Sequence, residues 1–445
     1  MNLCNRNLQK PNLFYTLSVV MAIVFTALIT GCTSSSPNSS LSTSTSTSPA
    51  NHTENSSTSQ LLTQTPSPAP EPTSAPVKES DPITLKLAKM TLEEKVGQML
   101  LVGIEGTVLD AQAKRMITED KIGGIILYKD NIKSLKGMVQ LINSLKKSNS
   151  GNPAPLFMSV DQEGGKVSRM PKEYSAMYSN GTVGSLNNAN AAEMMGRLLA
   201  RVVSSAGFNM NFAPVLDIHS NPKNPVIGDR SFGNSASQVT TLGIAEMKGM
   251  ESEQVIPVIK HFPGHGDTSV DSHLDLPVVN KTADQLATLE WIPFQNAIKE
   301  GVDAVMVAHI LYPQLDPDKP SSLSRVITTD FLRDQMGYQG LVITDDLTMG
   351  AIMKNYDLAT AAVEAINAGS DVLLVAHGYD NEKRVREAIL EHIKNGKLQE
   401  ARIDESVYRI LALKAKYNLS DEQVPVPDLT DLNKDITTWR RTIQK

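Results

Sequence analysis

The sequence predicts an α/β protein organised as a (β/α)₈ barrel, and three observations lead there. Eight short apolar runs recur between residues 99 and 378. Each is nearly continuous in apolar residues, as parallel strands buried on both faces require. Amphipathic stretches separate the runs, and polar residues gather at the C-terminal end of most of them. In a barrel those ends share one face, and that face carries the active site. A doubly wound open sheet is the alternative. No Gly-x-Gly-x-x-Gly or Walker lysine motif follows any run.

The elements follow in chain order. Residues 1–31 read as a lipoprotein signal peptide: Arg6 and Lys10, then the uncharged apolar run Leu13–Thr30, then "ITGC". Cys32 after those small residues resembles the lipidated cysteine of a bacterial lipobox. An uncleaved membrane anchor is the other reading, since the run is just long enough to span a bilayer. Either places the remainder outside the cytoplasmic membrane. The only other cysteine is Cys4, so the folded part has no thiol, disulfide or cysteine-based metal site.

Residues 32–82 are dominated by Ser, Thr and Pro, with few large apolar side chains. Such a chain buries too little to offset its conformational entropy and reads as a disordered linker. By random-coil scaling it spans roughly 40 Å. The folded domain is assigned to 83–420. It opens on "TLEEKVGQML", a capping box from Thr91 to Glu94. The eight strand candidates are 99–106, 122–128, 155–165, 208–217, 255–262, 302–310, 340–346 and 370–378. The helix candidates are 131–147, 190–206, 237–253, 283–300, 358–368 and 381–395. Residues 421–445, polar and with Pro425 and Pro427, read as a surface tail.

The net charge of −6 and pI near 5.8 exclude a binder driven by nucleic-acid phosphates. The run ends supply Asp161, Asp217, Lys260, His261, His309, Asp345, Asp346 and His377. The densest segment is "KHFPGHGDTSVDSH", Lys260–His273, with three of the chain's eight histidines. His261, His265, Asp267 and His273 could serve a metal. Pro263, Gly264 and Gly266 rule out a helix that would align them. Acid–base chemistry needs only Asp271 and His273: the carboxylate holds one ring nitrogen and the other exchanges a proton. Asp345 suits a carboxylate nucleophile. Successive strand side chains point oppositely, so one of Asp345 and Asp346 faces the site.

"KHFPGHGDTSVDSH", "GLVITDDLTMGAI", "DQEGG" and "NPVIGDRSFG" together closely resemble glycoside hydrolase family 3, and most of all its β-N-acetylglucosaminidases. The resemblance runs from about Leu85 to Leu413. It implies a barrel and a retaining mechanism through a covalent glycosyl-enzyme. It implies Asp345, after Thr344, as nucleophile and His273 with Asp271 as acid/base, where most retaining glycosidases use two carboxylates. It implies sugar contacts from Asp161, Arg169, Arg230, Lys260 and His261. His265, Asp267 and Thr268 then shape the loop, and His309 and Met349 line the site. The glycine-rich loop 262–273 is expected to close over the sugar. No cofactor and no metal is expected. Some members add a second domain to the site; the residues after 420 are expected to be too few for one.

The expectation is therefore a lipid-anchored, extracytoplasmic exo-acting β-N-acetylhexosaminidase. Its partners would be N-acetylglucosaminyl glycans or muropeptides and a membrane, with no nucleic acid. A β-glucosidase or a glycoside phosphorylase on the same fold is the neighbouring alternative. A non-catalytic sugar-binding lipoprotein is the alternative of another class, and it gives no reason for Asp345 and the Asp271–His273 pair together.

Overall fold

A computed structural model describes residues 81–444. The signal segment, Cys32 and the linker up to residue 80 lie outside the described residues. The first helices are fixed by their caps. Asp81 accepts from the backbone of Ile83 and Thr84 ahead of Pro82–Leu87. The predicted capping box forms before Leu92–Gln98, with Thr91 Oγ1 accepting from Glu94 N and Thr91 N donating to Glu94 Oε2.

All eight apolar runs form strands: β1 Leu100–Gly103, β2 Gly124–Ile126, β3 Phe157–Val160, β4 Met210–Asn211, β5 Ile256–Phe262, β6 Ala304–Val307, β7 Leu341–Thr344 and β8 Leu373–Val375. Every strand residue is buried, which explains the lack of alternation in the sequence. Neighbours pair in parallel in the order β7-β6-β5-β4-β3-β2-β1-β8. The ring closes between β7 and β8 through the parallel bridge Ile343–Val372. There Thr344 N donates to Val372 O at 3.0 Å, and Val372 N to Val342 O at 3.0 Å. The architecture is a (β/α)₈ barrel, as the sequence predicts.

The predicted helices are present at Leu135–Ser148, Ala189–Ser205, Ala236–Ser252, Leu358–Ala368 and Tyr379–Lys394. The segment 283–300 is two helices, Ala283–Ala287 and Trp291–Lys299, with a capping box between Thr282 and Gln285 at the first. Helices Ala111–Thr118, Val326–Gln335 and Glu400–Lys416 had no counterpart in the sequence reading.

The surface tail expected at 421–445 is corrected. Residues 430–443 form a helix, Thr430–Ile443, that buries Leu432, Ile436, Trp439 and Ile443. It packs on Ala189–Ser205, and Trp439 Nε1 donates to Ala191 O at 3.1 Å. Its apolar residues recur at helical spacing on one face, a stripe diluted by the charged residues around it. The stretch before it is tied down as well: Asp421 accepts from Leu156 N at 3.1 Å and from Asn149 Nδ2 at 2.6 Å.

Helix Glu400–Lys416 closes the opposite, N-terminal end of the barrel. Lys414 Nζ donates to Gln98 Oε1 and to Gly123 O, each at 2.8 Å, and stands 4.5 Å from the Phe157 ring centre. The C-terminal strand ends are thereby the open face.

Candidate active site

The open face holds a cavity of roughly 160 Å³. Among the predicted site residues Asp161, Arg169, Arg230, Lys260, His261, His273 and Asp345 all line it. Asp271 stands one step back, behind His273. They come from the ends of β3, β5 and β7 and from the loops after β3, β4 and β5, as the strand-end pattern predicts.

One wall is an ion network. Lys260 Nζ lies 2.6 Å from Asp161 Oδ1 and 2.7 Å from Glu163 Oε1. Arg230 grips Glu163 with two bonds, Nε to Oε2 at 2.9 Å and Nη2 to Oε1 at 2.8 Å. Two parallel bonds of this kind fix the guanidinium plane as well as its position. Burial pushes the Glu163 carboxyl up, but Arg230 and Lys260 outweigh it and hold it below the usual range. Burial pushes Lys260 down, and Asp161 and Glu163 more than reverse it. Both cations therefore stay charged in a buried place.

His261 is held from behind. Its Nδ1 lies 2.6 Å from Asp217 Oδ2, and Asp217 is fully buried. Its Nε2 lies 3.4 Å from Arg230 Nη2. Nδ1 donating to the carboxylate leaves Nε2 as the acceptor toward Arg230 and the cavity. Burial raises Asp217, yet His261 and His265 hold it below 3.8. Arg169 differs from the other cations. Its Nε is buried without a protein hydrogen-bond partner, and its guanidinium faces the cavity.

At the end of β7 both aspartates border the cavity, but their partners differ. Asp345 faces the cavity, and one of its oxygens accepts from Asp346 N at 2.9 Å. Burial pushes its carboxyl up, but the imidazoles of His309, His261 and His273 hold it below 3.8. Asp346 braces the strand end. It accepts from Thr348 N and Ala376 N and from the Thr348 hydroxyl, all within 3.0 Å. Burial raises Asp346 above 3.8.

His273 Nδ1 lies 2.8 Å from Asp271 Oδ1, which also accepts from His273 N at 2.9 Å. The His273 side chain is 65% exposed, at the cavity mouth. Asp271 is held below 3.8: burial opposes this, and the His273 backbone and ring outweigh it.

One expectation for a neighbouring residue changes. His309 lies beneath the site instead of lining it. It is fully buried, with Nδ1 2.6 Å from Ser322 Oγ and Nε2 2.9 Å from Asp346 O. His265 is a loop brace, as expected, bonded to Thr268 Oγ1 at 2.9 Å and Ser272 Oγ at 3.1 Å. Burial pushes its ring down to about 4. Met349 does line the cavity, with Tyr128, Phe212 and His377. Among the described residues, no group of three or more His, Cys, Asp or Glu side chains is arranged to hold a metal ion.

Glu163 was not among the residues predicted for the site, though it lay in plain view in "DQEGG", and Asp217 was named only as a strand-end residue with no role. What marks them is their partners, which only the fold supplies.

A (β/α)₈ barrel with a buried carboxylate, a carboxylate-held imidazole and a charged wall around a cavity at its open face has the layout of a barrel enzyme. The glycosyl hydrolase family 3 N terminal domain matches residues 91–413, and the chain belongs to that family. It is 33% identical over 348 residues to β-hexosaminidase A of Pseudoalteromonas piscicida, covering 73% of this chain and 58% of that protein. The chain thus spans less than two thirds of that relative. It is 34% identical over 285 residues to the β-hexosaminidase of Stenotrophomonas maltophilia (strain K279a), covering 63% of this chain and 83% of the relative. Among solved structures it is similar to a glycoside hydrolase family 3 β-N-acetylglucosaminidase from Paenibacillus sp. str. FPU-7. That likeness has 39% identity and a TM-score of 0.74, and covers 79% of this chain and 68% of that one.

Proposed function

We propose that the protein is an exo-acting, retaining β-N-acetylhexosaminidase that removes terminal N-acetylglucosamine. The observation that carries the reading is that Asp345 and His273, the latter backed by Asp271, line one small cavity. The names of the β-hexosaminidase and β-N-acetylglucosaminidase relatives support the substrate class.

In the first half-reaction the Asp345 carboxylate attacks the anomeric carbon. The glycosidic C–O bond breaks, and the leaving oxygen takes the Nε2 proton of a His273 imidazolium. Asp271, bonded to Nδ1, stabilises that cation. In the second half-reaction neutral His273 takes a proton from water. The water oxygen attacks the anomeric carbon, and the bond to Asp345 breaks. Two displacements keep the anomeric configuration. Asp161, Lys260, Arg230, His261 and Arg169 hold the sugar through its hydroxyls and acetamido group. Glu163 and Asp217 fix those holders.

The test is turnover of p-nitrophenyl β-glycosides with and without the N-acetyl group, with and without inorganic phosphate. The reading expects preference for the N-acetyl sugar and a free-sugar product. Preference for the glucoside, or a sugar phosphate as product, overturns it; a neutral imidazole would not repel phosphate as a carboxylate would.

We further propose an extracytoplasmic, lipid-anchored enzyme acting on peptidoglycan fragments, on the grounds of the N-terminal sequence. Cys32→Ser is expected to release the protein from membranes or leave an unprocessed precursor. Unchanged mass and fractionation overturn the anchor.

A further inference from the structure

The loop that carries His273 is secured differently along its length. Its first half is built in. His265 N donates to Asp217 Oδ1 at 2.6 Å, Tyr312 Oη donates to Gly264 O at 2.6 Å, and Asn224 Nδ2 donates to His265 O at 2.8 Å. Its second half is more exposed, at Val270 (39%) and at the following Leu274 (66%), with Ser272 between them buried. Here two backbone bonds arrive from another element. Gly350 N donates to His273 O at 3.2 Å, and Ala351 N donates to Ser272 O at 3.1 Å. Both donors lie on the segment that leaves β7 just after Asp345.

The approach is too close for a side chain. A Cβ on Gly350 would stand 2.6 Å from His273 O and 2.8 Å from Leu274 O. Ser272 is held from the other side by His265 Nε2, so its main chain cannot easily retreat. The nucleophile's own connection therefore grips the main chain of the acid/base.

We propose that Met349–Ala351 is a clasp that sets His273 at its working distance from Asp345, and that Gly350 is a positioning residue for proton transfer. The proposal rests on His273 being the acid/base. It predicts a selective defect, because displacing His273 leaves Asp345 and the sugar wall in place. A misplacement of about 1 Å costs on the order of 10²-fold.

The experiment compares kcat/KM of the full-length wild type and Gly350→Ala on two substrates. One is an unactivated N-acetylglucosamine disaccharide, which needs a proton on its leaving oxygen. The other is the 2,4-dinitrophenyl glycoside, which does not. Expected is a loss of about 10²-fold on the disaccharide and less than about 10-fold on the dinitrophenyl substrate, with azide raising turnover of the variant. Equal losses on both, or no loss, overturn the clasp. Should the variant not fold, hydrogen exchange of the wild type decides. The Gly350 and Ala351 amides are expected to exchange slowly, and exchange at the rate of an open peptide overturns the proposal. A wild type inactive on both substrates would instead overturn the functional reading, and the same exchange measurement would still judge the clasp.

Discussion

His273 is exposed at the cavity mouth, and Asp345 sits inside under three imidazoles. The division suits an acid/base that meets water and a nucleophile that stays ionised. His273→Ala is expected to cost about 10²–10⁴-fold on natural glycosides. On the dinitrophenyl glycoside the first half-reaction survives better, and azide, which needs no deprotonation, speeds release. Asp271→Ala gives a milder copy. Equal losses with no azide rescue would take His273 out of the role. The residues proposed for the chemistry were legible because strand ends and a dense titratable loop mark themselves. Glu163 was not. Its partner Arg230 lies 67 residues away in sequence, and a carboxylate two positions after Asp161 has no distinction until the barrel brings that arginine to it.

Among the elements, the eight strands could be read because both of their faces are buried, so apolar runs appear without interruption. Helix Thr430–Ile443 could not, because two prolines precede it and charge surrounds its single apolar stripe. Burial shows that it is part of the packed body: Trp439 is 5% exposed against helix Ala189–Ser205. Trp439→Ala is expected to destabilise the protein by roughly 3 kcal/mol, read as a lower urea midpoint. A midpoint within error of wild type would return this helix to the status of a tail. Helix Glu400–Lys416 escaped for a related reason, since its Lys414 looks like a surface residue and instead plugs the barrel floor.

For the whole molecule, that plug sets a pH response. Burial pushes the Lys414 ammonium from 10.5 down to about 7. Below pH 7 folded and unfolded chains both hold the proton, and the cost of burying the charge is borne in full. Between about pH 7 and 10.5 the unfolded chain binds a proton that the native chain lacks, so stability rises with pH. Lys414→Met removes that contribution. The urea midpoint of wild type is expected to gain on that of the variant between pH 7 and 9.5. Parallel profiles would show that Lys414 keeps an ordinary affinity for its proton. The two ends of the barrel thus bury basic side chains differently. The floor buries Lys414 against an amide oxygen and a carbonyl oxygen, whereas the open face buries two cations against carboxylates and leaves room for a sugar.

Everything proposed for the open face turns on a bond between Asp345 and the sugar. The direct measurement is incubation with a 5-fluoro N-acetylglucosaminyl inhibitor, followed by proteolysis and mass spectrometry of the β7 peptide. The account predicts a single glycosyl adduct on Asp345, formed as activity is lost and absent from Asp345→Ala. An adduct on Asp346 would contradict it. So would hydrolysis of N-acetylglucosaminides with retention and no adduct on any residue, because the substrate's own acetamido group would then be the nucleophile.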